Sequence, residues 1–278
     1  MSDFEVIIFT DLDGSLLNHD NFEFDSIKPF IVKCVENNIQ IIPNTSKTKC
    51  EVEYFCNQLG INLPFIVENG SAIYNSDLLF SNCELKNKTL ILSRTSEEIL
   101  EVFQNKIPLS FRRKCLFLSD MDTGQQTKVL GLKEENISFA LNRLFSIPFV
   151  FDGSLEIKNE FKMLFNELDI KIHEGGRILN ICDNCSKGDA MKIILEKLTN
   201  DTKKKYHSIV VGDSSNDISM LKLSNQPCVV PLPNKDHMKN LKIKNIIIAK
   251  DFAPQGWREV VLKSLQKINF KFKEDNYG

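Results

Sequence analysis

The strongest constraint on this chain's fold is the alternation of short apolar runs with segments of helical period. "VIIF" (6–9) is rich in β-branched and aromatic residues, as expected of a strand buried on both faces. Over 26–37, Ile27, Phe30, Ile31, Cys34 and Val35 share one helical face, and Pro29 falls in the first turn, where it is tolerated. "IQII" (39–42) predicts a second strand, followed by a helix with Val52, Phe55, Cys56 and Leu59 inward. "PFIV" (64–67) predicts a third, closed by "ENG". The pattern returns late. A helix over 187–199, a strand at 208–211, a short helix around Ile218 to Leu221, a strand in "NIIIA" and a helix through Trp257, Val261 and Leu265 complete it. Such alternation folds as a parallel sheet covered on both faces.

The middle, 84–182, is more polar and carries shorter, mixed segments, with strand-like "KCLFLS", "PFVF" and "RILNI" between helical pieces. The expected architecture is therefore α/β: a Rossmann-like, doubly wound parallel-sheet core from 1–83 and 183–278, with a smaller α+β domain, 84–182, inserted into it.

Lysine and arginine number 35 against 37 acids, so no bulk field favours nucleic acid or an anionic membrane. No run approaches the roughly 20 apolar residues of a membrane span. The N-terminus reads as the first strand rather than a secretion signal, so the eight cysteines are expected as free thiols in a reducing cytoplasm. Cys182 and Cys185 form a C-x-x-C that lacks the second ligand pair of a zinc site.

In open parallel sheets, ligands bind beyond the carboxyl ends of the strands. Four loops fall on that edge: "DLDGS" after the first strand, "NTSK" after the second, "ENG" after the third and "GDSSND" after the late one. A helix begins beside them near Lys187 in "SKGDA". Carboxylates gathered on one rim repel unless a cation joins them, and a small set of oxygen ligands suits magnesium. A magnesium ion and a lysine aimed at one point make a phosphoryl receptor, and a carboxylate there can attack phosphorus. Neither a G-x-x-x-x-G-K-[ST] loop nor G-x-G-x-x-G occurs, so a nucleotide is not the obvious donor.

Taken in order, "DLDGS", a hydroxyl in "NTSK", Lys187 in "SKGDA" and "GDSSND" resemble the four motifs of the haloacid dehalogenase superfamily. The gap between the second and third motifs is where one branch carries an inserted α/β cap. Within that branch, "NTSKTKCEVEYF", "PFIVENGSAIY", "ALNRLFSIPF", "EGGRILNI" and "APQGW" are similar to segments of the mannosyl-3-phosphoglycerate phosphatases of compatible-solute synthesis. The resemblance spans nearly the whole chain. It implies Asp11 as nucleophile and Asp13 as general acid–base, with Thr45 and Ser46 hydrogen-bonding the phosphoryl group and Lys187 neutralising its charge. It implies a magnesium site from Asp11, Asp13 through its backbone carbonyl, Asp213 and Asp217. It also implies substrate contacts from Ser46, Lys47, Glu68, Asn69, Arg143, Ser146, Gly176, Arg177 and Asn216, the two arginines suiting a carboxylate.

Two positions depart from the family pattern. Ile147 stands where a glutamate is usual, and Asn180 where a histidine is usual. Both bear on recognition of the sugar or glycerate, so glucosyl-3-phosphoglycerate stands beside the mannosyl compound as the expected small-molecule substrate. A sucrose-phosphatase-like or broad sugar-phosphate phosphatase is the alternative, or a phosphomutase. A magnesium-sensitive binding protein has no need of Asp11, Asp13, Lys187 and Asp213 together. His19, His173, His207 and His237 read as loop residues without a catalytic role, and Trp257 as core.

Overall fold

A computed structural model describes residues 4–80, 88–174, 178–233 and 241–273. The chain opens with β1 (Glu5–Thr10), α1 (Lys28–Glu36), β2 (Gln40–Pro43) and α2 (Lys49–Leu59). Next come three short strands, β3 (Phe65–Val67), β4 (Ala72–Tyr74) and β5 (Thr89–Ile91). The middle of the chain forms α3 (Ser96–Lys106), α4 (Leu109–Arg112), β6 (Cys115–Phe117), α5 (Thr123–Leu130) and α6 (Glu134–Leu141). It continues through β7 (Ser146–Phe151), α7 (Leu155–Phe165), β8 (Ile170–Glu174) and β9 (Leu179–Asp183). The last part is α8 (Lys187–Thr202), β10 (Tyr206–Gly212), α9 (Ile218–Leu223), β11 (Gln226–Val229), β12 (Ile247–Ile248) and α10 (Gln255–Lys267).

The core sheet has the order β12-β11-β10-β1-β2, all parallel. Its strands read as continuous apolar runs because both faces are covered. Along β1, Val6 and Ile8 join one layer with Ile31, Phe55 and Trp257, while Ile7 and Phe9 join the other with Met191, Ile194 and Met220. Thus α1, α2 and α10 cover one face, and α8 and α9 the other. The chain leaves β1 toward β2 on one side and returns to β10 on the other. That reversal of direction is the switch point where α/β sheets open a crevice.

The third strand differs from its expected place in the parallel sheet. β3 pairs antiparallel with β4 in a separate sheet, β3-β4-β5, and meets the core sheet through the parallel bridge Asn44↔Ile66. The cause is local. Glu68, Asn69 and Gly70 all have positive φ (47°, 62° and 102°), which reverses the chain directly after Val67.

The inserted unit is an antiparallel sheet, β6-β7-β9-β8, between two helical layers. Phe149, Ile170, Leu179 and Ile181 pack against Phe103 of α3 and Phe161 and Phe165 of α7. On the opposite side, Leu130 of α5 with Ile137 and Ala140 of α6 forms a second cluster, against which Val150 packs. The boundary expected at 83/84 lies outside the described residues. We propose that the linkers between core and cap run through 92–95 and 183–186. The two are clasped there: Arg94 donates from its N–H and Nε to Asp183 Oδ2 (2.7 and 3.1 Å) and from its terminal nitrogen to Oδ1 (2.7 Å). β5, within the range expected for the cap, pairs with β4.

Among the described residues no helix is long and apolar enough to cross a membrane, and the seven described cysteines carry free thiols. Gly70 draws the β3–β4 turn against the start of α8, since a Cβ on it would lie 2.2 Å from Ser186 O. Gly70→Ala therefore requires backbone movement at the residue before Lys187. We expect it to lower unfolding free energy by about 3 kcal/mol in urea titration, with no change in the folded far-UV spectrum.

Candidate active site

β1 delivers Asp11 to the sheet edge, where its N–H donates to Val211 O (2.9 Å). Thr10 Oγ1 donates to Asp11 O (2.7 Å) and accepts from the buried indole of Trp257 (2.9 Å), so α10 braces the start of the loop. Gly14 turns the chain at φ +77°, where a Cβ would meet Leu232 Cδ2 at 2.6 Å. The turn brings Ser15 Oγ within hydrogen-bond reach of Asp213 Oδ1 (2.9 Å), in the loop after β10.

Asp11, Asp213 and Asp217 each offer a carboxylate oxygen within 4.8 Å of the others, all buried. Lys187, fully buried in the first turn of α8, enters this cluster. Its Nζ lies 2.6 Å from Asp217 Oδ1 and 2.9 Å from Asp11 Oδ1. The Asp11 contact is an ion pair without hydrogen-bond alignment, so Asp11 Oδ1 accepts no hydrogen bond. Asp217 also accepts from the N–H groups of Asp213 and Ser214 through Oδ2 (2.9 and 3.0 Å), fixing the loop's shape. Asn44 Nδ2 donates to Lys187 O (2.9 Å), tying β2 to the same helix.

Burial opposes the charge on Lys187, yet the Asp11 and Asp217 carboxylates outweigh it and hold the ammonium above its ordinary range. Asp213 is pushed well above the usual carboxylate range by burial, then by Asp217 and Asp11. Burial likewise raises Asp217, against the pull of Lys187. Three carboxylates and one ammonium leave a surplus of negative charge. That surplus and the all-oxygen donor set of Asp11, Asp213 and Asp217 fit a divalent cation.

Asp13 points to a different partner. Its Oδ2 lies 3.0 Å from Lys47 Nζ, which also binds Glu51 Oε1 (2.9 Å) and sits 4.9 Å from the centre of the Phe22 ring. Burial alone would lower Lys47, but Asp13 and Glu51 raise it. Burial alone would raise Glu51, but Lys47 and Arg143 hold it below its usual range. Glu51 is placed by the capping box of α2: Thr48 Oγ1 accepts from its N–H (3.2 Å), and Glu51 Oε2 accepts from Thr48 N–H (2.9 Å). These groups border a cavity of about 100 Å³, lined by Asp11, Asp13 and Asp213 together with Lys47, Glu51 and Arg143, and the Asp13–Lys47 ion pair links the two sets. Leu130, Leu132, Ala140, Ile178 and Asn180 complete the cap side.

Core and cap are joined beside this cavity. Glu68, 1% exposed, accepts from Leu144 N–H (3.0 Å), Phe145 N–H (3.1 Å) and Ser146 Oγ (2.5 Å). Arg143 donates to Ser46 O (3.1 Å) and Ser146 Oγ (3.0 Å), and Thr48 Oγ1 donates to Phe139 O (2.7 Å).

The sequence-predicted residues thus separate into groups. Asp11, Asp13, Ser46, Lys47, Arg143, Asp213 and Asn216 border the cavity. Lys187 and Asp217 lie beneath it, bonded to one another. Thr45 is fully buried, with its Oγ1 accepting from Lys47 N–H (3.3 Å). Glu68 and Ser146 bond each other at the joint, and Asn69 accepts from Asn216 Nδ2 (3.0 Å). Gly176 and Arg177 lie outside the described residues, as does His237. His19, expected to have no role, borders the cavity. Ser15, Glu51 and Asn180 were not among the expected site residues; Thr48-x-x-Glu51 carried a readable capping signal, and Ser15 stood inside "DLDGS".

The family described as haloacid dehalogenase-like hydrolase matches residues 8–231. A glucosyl-3-phosphoglycerate/mannosyl-3-phosphoglycerate phosphatase from Persephonella marina is 32% identical over 95% of this chain and 98% of its own. The protein of the same description from Methanococcoides burtonii is 29% identical over equal shares. Among solved structures, the sucrose-phosphatase of Synechocystis sp. PCC6803 has a TM-score of 0.61 at 13% identity, covering 96% of this chain and 98% of that one. A haloacid dehalogenase-like hydrolase from B. subtilis has 0.65 at 14%, covering 94% and 98%. These two similarities concern the fold.

Glu68→Ala would leave three cap donors, two of them buried, without an acceptor. We expect a loss of about 3 kcal/mol of stability and faster amide exchange at Leu144 and Phe145, while β1 amides exchange no faster than global unfolding allows. Unchanged exchange at those two amides would show that Glu68 does not join cap to core.

Proposed function

The chain belongs to the haloacid dehalogenase-like hydrolase family, and we propose that it is a magnesium-dependent phosphatase acting on glucosyl- or mannosyl-3-phosphoglycerate. The observation that carries this reading is the buried cluster of Asp11, Asp213 and Asp217 around Lys187, set at a cavity that Lys47 and Arg143 also border. The cluster suits a phosphate, and the two further cations suit a separate carboxylate. The names of the two relatives supply the substrate class.

Asp11 is the nucleophile in this reading. One of its oxygens attacks phosphorus in line, the bond from phosphorus to the glyceryl oxygen breaks, and Asp13 protonates the departing oxygen. Asp13 then takes a proton from the water that attacks the aspartyl-phosphate, releasing inorganic phosphate and restoring Asp11. Lys187 holds the Asp11 carboxylate against its acidic neighbours and offsets charge on the phosphoryl group. Thr45 and Ser46 supply hydroxyls at the end of β2. Asp11, the Asp13 carbonyl, Asp213 and Asp217 would hold magnesium, which supplies electrostatic stabilisation of the phosphoryl oxygens when bound.

Lys47 holds Asp13 through an ion pair. A substrate carboxylate competes for that ammonium and frees Asp13 for proton transfer. The Glu68 contacts hold the cap against the core beside this cavity, so opening of the cap for substrate entry would break them. The free thiols favour a reducing compartment, the cytoplasm.

The test is phosphate release across glucosyl- and mannosyl-3-phosphoglycerate, sucrose 6-phosphate and hexose phosphates. One or both phosphoglycerates should give the highest kcat/KM; preference for a plain hexose phosphate would contradict the reading. EDTA should abolish turnover and magnesium restore it, with calcium a poor substitute because of its looser, higher coordination. Asp11→Asn should remain folded and lose at least about 10³-fold in kcat, a barrier increase of roughly 4 kcal/mol.

A further inference from the structure

Asn180 lies in the middle of β9, between Leu179 and Ile181, which pack into the cap's own core. Strand alternation turns it to the other face, toward the cavity it borders with Asp11 and Asp13. The residue is 2% exposed, and its Oδ1 has no hydrogen-bond partner. The strand register gives one physical reason. Its neighbour in β7 is Pro148, whose side chain offers no donor, and its neighbour in β8 is His173, whose Nε2 is directed to Cys185 O at 3.2 Å. A buried acceptor left without a donor costs about 1–3 kcal/mol.

We propose that Asn180 is a specificity-determining residue whose side-chain oxygen accepts a hydrogen bond from a hydroxyl of the organic group carrying the phosphate. This rests on the phosphatase reading of the same cavity. Phosphate and carboxylate are acceptors, so neither satisfies this oxygen, whereas a sugar or glyceryl hydroxyl does. The surroundings agree: Ile178, Leu130, Leu132 and Ala140 form an apolar wall beside it, suited to the C–H face of a polyol. The phosphate is left to the Asp11 and Lys187 cluster, and the carboxylate to Lys47 and Arg143.

The test compares Asn180→Leu and Asn180→His with wild type on three phosphomonoesters: the two glycosyl-3-phosphoglycerates and p-nitrophenyl phosphate, which has no hydroxyl. Asn180→Leu should lose about 10-fold more in kcat/KM on the glycosyl substrates than on the aryl phosphate, mainly through KM. Asn180→His keeps an acceptor on its neutral ring and should recover part of that loss. The melting temperature of Asn180→Leu should be equal to or above that of wild type, because an unsatisfied buried acceptor has been removed. Equal losses on all substrates, or a lowered melting temperature without a change in preference, would overturn the proposal in favour of a purely structural role. Should wild type turn over the aryl phosphate and hexose phosphates but neither glycosyl phosphoglycerate, the substrate reading fails. The same ratio taken on the hexose phosphates then still decides the role of Asn180.

Discussion

The buried ammonium of Lys187, set between Asp11 and Asp217, is the interaction on which the rest of the site depends. Three carboxylates gathered out of water repel one another and resist burial, and Asp213 registers that conflict in its raised affinity for a proton. A single fully buried lysine makes the arrangement tolerable without cancelling it. Removing one partner from such a cluster typically costs about 3–5 kcal/mol. The fold reflects this need: Asn44 and the Gly70 turn both hold the start of α8 where its first residue reaches the carboxylates. The surplus negative charge suits the cluster to a divalent cation.

A second electrostatic group borders the same cavity. Lys47 bridges Asp13 and Glu51 beside Arg143, supported partly by the capping box of α2 and partly by the cap. The Glu68 contacts close the cap beside it through backbone donors, so closure depends on the path of residues 144–146 more than on their side chains. Asp11 and Lys187 come entirely from the core, while Arg143 and Asn180 come from the cap. In the proposed function, phosphate chemistry and substrate selection fall on different units.

Much of this was legible in the sequence for a physical reason. Strands buried on both faces must be apolar throughout, so β1, β2 and β10 announce themselves, and the polar loops that follow them fall on one edge by topology alone. Asp11, Asp213 and Lys187 could be placed together on that basis. The antiparallel course of β3 and β4 was harder, because three-residue strands carry no period and the reversal rests on backbone angles at Glu68, Asn69 and Gly70. Partners across the joint were hidden for another reason. Glu68 and Ser146 were expected to contact substrate, but a sequence lists donors and acceptors without pairing them, and here the two bond each other. Asn180 stood out only as a departure from the family pattern; its unsatisfied oxygen is a property of the strand register.

The central claim is that Asp11, held by Lys187, receives the phosphoryl group before water does. The stereochemical course at phosphorus tests it most directly, using a substrate whose phosphoryl group is made chiral with oxygen isotopes and sulfur. Two successive in-line displacements, first by Asp11 and then by water, predict overall retention of configuration. Inversion would mean that water attacks the substrate directly, and it would contradict the role given to Asp11.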